Sequence, residues 1–260
     1  MGNNDWPFNN IKLFRCSSTG YKWRWAINDL EWALNPNGWT SSSFDHISYM
    51  LGQGMGNYYT AFWNRMMNNG EYKAYFVNRF ADLMNTSYDF SVIGPLEQEM
   101  FDEMNAEMDH EYERWGNSNI ASQMNTFKSN HEIFRNELSI RSSYVRDDLQ
   151  SHFSLKRQVN VTLDVEPREA GSIKISTITP CNYPWTGIYF GEVEVQVEAI
   201  ANPGYEFVNW DPNNFITNPS SALNSGEFKA NSVALKAYFR EADEEAIGVA
   251  IKRMSTPANP

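Results

Sequence analysis

The chain is poor in cysteine, in positive charge and in long apolar runs, and each shortage argues against a class of protein. Its 260 residues include only two cysteines, Cys16 and Cys181, too few for a disulfide framework, so we expect both to be free thiols. With 21 Lys and Arg against 32 Asp and Glu, its net charge of −11 argues against binding to nucleic acid or to an anionic membrane. No apolar run approaches the roughly 18–20 residues that span a bilayer, so we expect no transmembrane segment.

The N-terminus also lacks the basic region and apolar core of a signal peptide. The four histidines are scattered, and no pair of them has a metal-ligand spacing. Apolar side chains, by contrast, are plentiful. A hydrophobic content of 42% with 15% aromatic residues predicts packed cores rather than disorder, and the length predicts two domains.

The first 32 residues hold the candidate chemistry. Asp5 and Asn10 have the Asp-x-x-x-x-Asn spacing of a protein-kinase catalytic loop, in which the Asp accepts the substrate hydroxyl proton and the Asn holds a metal. Residues 11–16 and 22–28 alternate apolar and polar, which predicts a half-buried β-hairpin with Asp29 at its end. A carboxylate there is well placed to bind a metal. Spacing alone, however, favours a buried hairpin whose Asp simply begins a turn.

From residue 42 to about 153 the apolar period predicts helices. Ser42 is predicted to cap the first, Pro95 to begin the longest, Ser118 to cap the next and Ser143 to begin the last. The helix after Pro95 carries acidic residues on one face, which we interpret as exposed to solvent. Its other face is interpreted as core and consists of Leu96, Met100, Met104, Met108, Tyr112 and Trp115.

Near residue 157 the period changes from 3.6 to 2, which predicts a small β-rich domain over residues 157–240. The following residues, 241–260, are predicted to be a tail or the truncated start of a further domain. Three aromatic residues, Trp185, Tyr189 and Trp210, have the chemistry to stack on a sugar. Aromatic residues of a β domain are more often part of its core, which is the interpretation we favour.

Several motifs together resemble the spore coat protein H (CotH) kinase family, over about residues 3–155. The first two are Asn4-Asp5-Trp6-Pro7-x-Asn9-Asn10-x-Lys12-Leu13-x-Arg15 and Trp23-Arg24-Trp25-x-x-x-Asp29-Leu30. The others lie in the helical segment and are Phe76-Val-Asn-Arg79-Phe80-Ala81-Asp82-Leu83-Met-Asn85-Thr86 and Met108-x-His110-x-x-x-Arg114-Trp115-Gly116. The family consists of atypical secreted or surface-associated protein kinases. The resemblance therefore implies an α+β fold: a mostly helical, kinase-C-lobe-like domain over 1–155 with an N-terminal β-hairpin, followed by the β-rich domain.

The resemblance also implies roles for single residues. Asp5 would be the catalytic Asp, and Asn10, Asp29 and Glu31 would be metal ligands, with ATP and Mg or Mn as cofactors. Glu31 stands where relatives often have a second Asp, and Phe8 stands where they often have Gly. Because Glu is still a hard oxygen ligand, metal binding is retained in principle.

A kinase also needs an upstream lobe that holds the nucleotide, and the chain has no room for one before Asp5. We therefore expect the chain to be the C-terminal part of a longer extracellular or cell-surface protein and to transfer no phosphate by itself. The resemblance implies that the longer protein transfers the γ-phosphate of ATP to Ser or Thr of a protein substrate. The alternative is a non-catalytic surface protein, in which a kinase-like scaffold binds an assembly partner.

The β-rich domain has a resemblance of its own, to the divergent internalin-type repeat domains of bacterial surface proteins. It rests on Gly171-Ser-Ile-Lys-Ile, Gly187-Ile-Tyr189-Phe-x-Gly191-x-Val193 and Pro203-Gly-Tyr205-x-Phe207-x-x-Trp210. This resemblance implies a surface-associated module in which the aromatic positions anchor the core.

Overall fold

A computed structural model describes residues 2–3, 12–26, 28–30, 32–34, 40–52, 57–58, 60–116 and 119–243. The chain divides into two compact units. The helical unit comprises Met1–Lys73 and Leu83–Ser154, and the β unit comprises Ala74–Asp82 and Leu155–Pro260. A mixed fold with an N-terminal strand pair, helices and small sheets is thereby confirmed. No sequence pattern had indicated that residues 74–82 belong with the β unit.

The predicted hairpin is present at the start of the helical unit. Strand β1 (Lys12–Phe14) pairs antiparallel with β2 (Arg24–Ala26), and Leu13 lies opposite Trp25. Neither strand has a buried face, however, and Trp25 remains 43% exposed. The alternation of apolar and polar residues predicted the strands correctly but not their burial, because packing partners are a property of the tertiary structure.

Five helices follow within the described residues: α1 (His46–Leu51), α2 (Ala61–Met66), α3 (Gly70–Met84), α4 (Phe90–Trp115) and α5 (Ile120–His152). The side chain of Asp45, rather than Ser42, caps α1 and accepts a hydrogen bond from the Ser48 amide at 2.8 Å. Helix α5 continues through Ser143, where a new helix was predicted, because no Gly or Pro interrupts it. None of the helices within the described residues is long and apolar enough to span a bilayer.

Helix α4 begins at Phe90 and therefore includes Pro95, which was predicted to be its first residue. The Asp89 side chain accepts a hydrogen bond from the Ser91 amide at 2.9 Å and caps this earlier start. The cap supplies an acceptor to an amide of the first turn, which has none within the helix, so the helix can start before Pro95.

Within its described residues the β unit contains two sheets. The first has the strand order β5 (Trp185–Phe190), β3 (Gln158–Glu166), β9 (Ser232–Glu241) and β7 (Tyr205–Trp210). The second has the order β4 (Gly171–Ile175), β6 (Glu194–Ala201) and β8 (Leu223–Glu227). Strands β3 and β9 run parallel, and the other pairs are antiparallel.

The two sheets face each other across an apolar core. Every second residue of β3 is buried, from Val159 to Val165, as its period of 2 predicts. A Cβ atom at Gly171 on β4 would lie 2.5 Å from Cζ of Phe239 on β9, so only glycine fits between the sheets there. Tyr189 and Trp210 are fully buried, which places them in the core and excludes them as sugar-stacking platforms.

Candidate functional site

Asp29 is the one predicted site residue that lies within the described part of the chain. It follows the end of β2 by three residues and is exposed, so its carboxylate faces solvent. Its φ of 58° is in the left-handed region, which Asp tolerates better than most residues. The carboxylate therefore projects from a loop at a strand end, as the sequence indicated for a metal ligand.

The other predicted site residues, Asp5, Asn10 and Glu31, lie outside the described residues. Their convergence with Asp29 therefore stays a prediction. Within the described ranges, no group of three or more His, Cys, Asp or Glu side chains could hold a metal ion.

A hydrogen bond links the residue before the first N-terminal motif to the second motif. The Nδ2 atom of Asn3 donates to the main-chain carbonyl of Asp29 at 2.7 Å, across 26 residues of chain. Asn3 is only 4% exposed but Asp29 is exposed, so the bond is partly buried. A second bond, from Nζ of Lys12 to Oδ1 of Asn28 at 2.7 Å, ties the same loop to the start of β1. Both bonds restrain the backbone that carries the Asp29 carboxylate.

The residue before Asn3 packs against helix α5. A Cβ atom on Gly2 would lie 3.1 Å from the Phe44 ring and 3.4 Å from Nη2 of Arg141. Arg141 is buried, and its Nη1 donates to the carbonyls of Ser42 and Phe44, the latter at 2.9 Å. The guanidinium group therefore fixes the segment that precedes α1 and forms part of the surface against which Gly2 lies.

Arg141 belongs to a buried group of ionisable side chains. Asp148 lies 3.9 Å from its guanidinium, at the limit of an ion pair. Burial raises the pKa of Asp148 to about 6, the negative charge of Asp45 adds to the rise, and Arg141 opposes it. Burial also lowers the pKa of His46 to about 4, and nearby positive charges, among them Arg141, add to this fall. We expect His46 to be neutral and Asp148 to be largely ionised at neutral pH.

The sequence reasoning missed this group. A spacing of seven residues puts Arg141 and Asp148 on one face of α5, two turns apart, and this is the signal that could have revealed them. The partners on the segment before α1 carry no comparable signal. Arg141 contacts main-chain carbonyls there, and any residue type supplies those.

The hairpin itself displays aromatic side chains to solvent. Trp23 is 67% exposed and Tyr21 63%. The guanidinium carbon of Arg15 lies 5.4 Å from the Trp23 ring centre and 5.8 Å from that of Tyr21. Such exposed aromatic clusters commonly mark a surface that binds another molecule.

Comparison with known proteins adds no assignment: no family model, no curated protein and no solved structure matches the chain. The candidate site is therefore described by its own residues.

Proposed function

We propose that the chain is part of a CotH-like protein kinase of the cell surface or extracellular space, with a kinase-C-lobe-like helical unit. The proposed reaction transfers the γ-phosphate of ATP to Ser or Thr of a protein substrate. Asp5 serves as the catalytic Asp, and Asn10, Asp29 and Glu31 serve as ligands of Mg or Mn. The β unit is proposed to be a repeat-like module that the surface protein carries after its kinase-like part.

The hydrogen bond from Asn3 to the Asp29 carbonyl is the observation that supports this proposal most directly. It joins Asn3, the residue just before the motif that contains Asp5, to the motif that contains Asp29, across 26 residues of chain. Phosphoryl transfer requires little covalent chemistry from the protein and depends on positioning and on cations at the phosphates. A restrained loop with an exposed carboxylate meets the first requirement and supplies a ligand for the second.

Metal binding tests the proposal at Asp29. The chain is titrated with Mn²⁺, with and without ATP, and free Mn²⁺ is followed by electron paramagnetic resonance. We expect saturable binding that Asp29→Ala weakens at least about tenfold, because one carboxylate of a small ligand set is lost. Asp102→Ala is the matched control, since Asp102 is exposed on α4, and it should leave binding unchanged. Equal binding by wild type and Asp29→Ala would contradict the assignment of Asp29.

A second candidate function is a non-catalytic surface or structural protein that binds an assembly partner. The exposed aromatic side chains of the hairpin favour it, because a purely catalytic role does not require them. Labelled ATP separates the candidates when the longer protein is assayed, because we expect the present chain to transfer no phosphate by itself. Phosphate transfer by the longer protein that is lost in Asp29→Ala supports the kinase. Metal binding without transfer, combined with partner capture that is lost in Trp23→Ala, supports the scaffold.

A further inference from the structure

An apolar groove of about 660 Å³ runs along one face of the helical hairpin formed by α4 and α5. Leu96, Met100 and Met104 line it from α4, and Phe127, Phe134 and Leu138 line it from α5. The three α4 residues are 57%, 65% and 53% exposed, respectively. The prediction that this face of α4 is core is therefore wrong for these three residues, which form one wall of an open groove.

Polar contacts that include the lining residues Glu97 and His131 hold the two helices together at the groove. Glu97 of α4 lies 2.6 Å from Nε2 of His131 and 2.5 Å from Nη1 of Arg135, both on α5. The Phe101 ring stacks on His131 with ring centres 3.5 Å apart. Since these contacts span the seam, the apolar stripe is not needed to join α4 to α5. It remains available to a partner.

The outer rim of the groove is acidic. Glu99, Glu103 and Glu107 follow Leu96, Met100 and Met104 by three residues each, so each carboxylate lies beside an apolar lining residue. All three glutamates are exposed. Across Phe90–Trp115 the helix carries eight Asp and Glu residues and one basic residue, Arg114. A ligand that enters the groove therefore meets a strongly negative edge.

We propose that this groove binds a basic amphipathic helix of another protein. An apolar groove between two helices fits the apolar stripe of a third helix, and flexible Met side chains adapt to its shape. The acidic rim selects Lys and Arg on the flanks of that helix and repels acidic partners. A second copy of this chain fits poorly, because its net charge is −11 and its own α4 would bring like charges together. The proposal does not depend on the kinase assignment.

The test uses two fluorescent amphipathic peptides of about 14 residues, or about four helical turns, with the same leucine pattern. One carries Lys at every polar position and the other carries Glu. We expect the Leu/Lys peptide to bind in fluorescence anisotropy and the Leu/Glu peptide not to bind. Raising NaCl from about 0.1 to about 0.5 M should weaken binding several-fold because it screens the rim.

Two groups of variants assign the binding to the groove. The double variant Met100→Gln, Met104→Gln keeps every charge, so it separates groove binding from general attraction to an acidic protein; we expect at least about tenfold weaker binding. A triple variant removes the charges of the rim: Glu99→Gln, Glu103→Gln, Glu107→Gln. It should weaken binding of the Leu/Lys peptide and reduce the salt dependence of that binding. Ile133→Gln, at a 38% exposed position of α5 that does not line the groove, is the matched control and should have no effect.

Three results would overturn the proposal. The first is equal binding of both peptides or no binding of either. The second is Leu/Lys binding that the Met100, Met104 double variant leaves unchanged. The third is a dimer in analytical ultracentrifugation that the same double variant abolishes, which would make a second copy the occupant. Circular dichroism confirms that each variant keeps its helices.

Discussion

The β unit and the α4–α5 hairpin bury different kinds of side chain. Strand β3 alone buries Val159, Val161, Leu163 and Val165, all apolar. In α4 the one buried residue is Gly94, and in α5 the buried residues are His131, Arg141 and Leu149. The β unit thus has an ordinary apolar core, whereas the α4–α5 hairpin buries polar side chains and leaves much of its apolar surface exposed.

This difference indicates which part of the molecule has exposed apolar surface that is available for binding. An apolar side chain that is buried stabilises the fold, and one that stays exposed is available for binding. The hairpin keeps an apolar groove with an acidic rim, and the β1–β2 strands display aromatic residues. The β unit buries the aromatic residues Tyr189, Phe190, Trp210 and Phe228 in its core. We therefore look for partners on the helical unit and for stability in the β unit.

The largest effect is expected from Trp210→Ala in the β unit. Trp210 is fully buried, and its Nε1 donates to the Ser221 carbonyl at 2.9 Å. Removing the indole leaves a cavity and an unpaired carbonyl, which should lower the free energy of unfolding by about 3–5 kcal/mol. Urea unfolding followed by circular dichroism measures the loss. Trp23→Ala is the matched control. Trp23 lies in the β1–β2 hairpin and is 67% exposed, so its loss should lower the free energy of unfolding by less than about 1 kcal/mol.

An equal decrease in the free energy of unfolding in the two tryptophan variants would contradict the contrast between the packed β unit and the exposed β1–β2 hairpin.

A slightly smaller effect is expected at Asp82, the buried residue by which α3 joins the β unit. Its carboxylate accepts hydrogen bonds from Ser176 Oγ at 2.8 Å, Thr177 Oγ1 at 2.6 Å and Tyr189 Oη at 2.7 Å. Asp82→Ala removes the acceptor of the buried Tyr189 hydroxyl and of the half-buried Ser176 and exposed Thr177, and should lower the free energy of unfolding by about 3 kcal/mol, mostly through the buried bond. Asp82→Asn, which keeps an acceptor oxygen, should cost less.

Amide hydrogen exchange checks where the loss at Asp82 falls. Protection should decrease in α3 and in the loop after β4, which contains Ser176 and Thr177. Unchanged amide protection in the Asp82→Ala variant would show that the stability of segment 74–82 does not depend on the Asp82 carboxylate.

Glu97→Ala probes the polar bridge of the helical hairpin. The Glu97 side chain is 12% exposed and contacts both His131 and Arg135, so its loss leaves a largely buried imidazole and a guanidinium without their carboxylate. We expect destabilisation of about 2 kcal/mol in urea unfolding. Glu107→Ala, on an exposed part of the same helix, should change stability by less than about 0.5 kcal/mol. A decrease in stability for Glu97→Ala that is no greater than for Glu107→Ala would mean that apolar contacts, rather than Glu97, hold α4 against α5.

The smallest effect is a change in pH dependence at Asp148 and His46. The folded-state pKa of Asp148, about 6, lies above its ordinary value of 3.8, so Asp148 favours the folded state at low pH and loses this contribution as pH rises toward 6. The folded-state pKa of His46, about 4, lies below 6.5, so its contribution is lost as pH falls from 6.5 toward 4. The two dependences oppose each other between about pH 4 and 6.

Variants separate these two contributions. Asp148→Asn should make stability fall more steeply than in wild type on acidification from pH 6.5 to 4, because His46 remains. His46→Gln should make it fall less steeply. Thermal unfolding across this pH range measures both slopes, and parallel profiles for wild type and both variants would contradict the pKa shifts.

The candidate site shows which features could be predicted from patterns in the sequence and which could not. Position Asp29, at a strand end after an alternating hairpin, was predictable from spacing, and the structure places it there. Its hydrogen-bond partner, Asn3, was not predictable, because a side chain bound to a main-chain carbonyl 26 residues away leaves no periodic trace. The pair of Arg141 and Asp148 does carry a signal, its seven-residue spacing on α5, but the main-chain partners of Arg141 before α1 carry none.

The sequence by itself determined the strands of the β unit and the existence of the hairpin and the helices. These follow from periods of 2 and 3.6 and from local capping, which act over a few residues. Only the tertiary structure decided which apolar stripes are covered. Periodicity shows that one face differs from the other, but burial depends on whether a second element lies against that face. The stripe of Leu96, Met100 and Met104 therefore reads as core in the sequence and stands open in the fold.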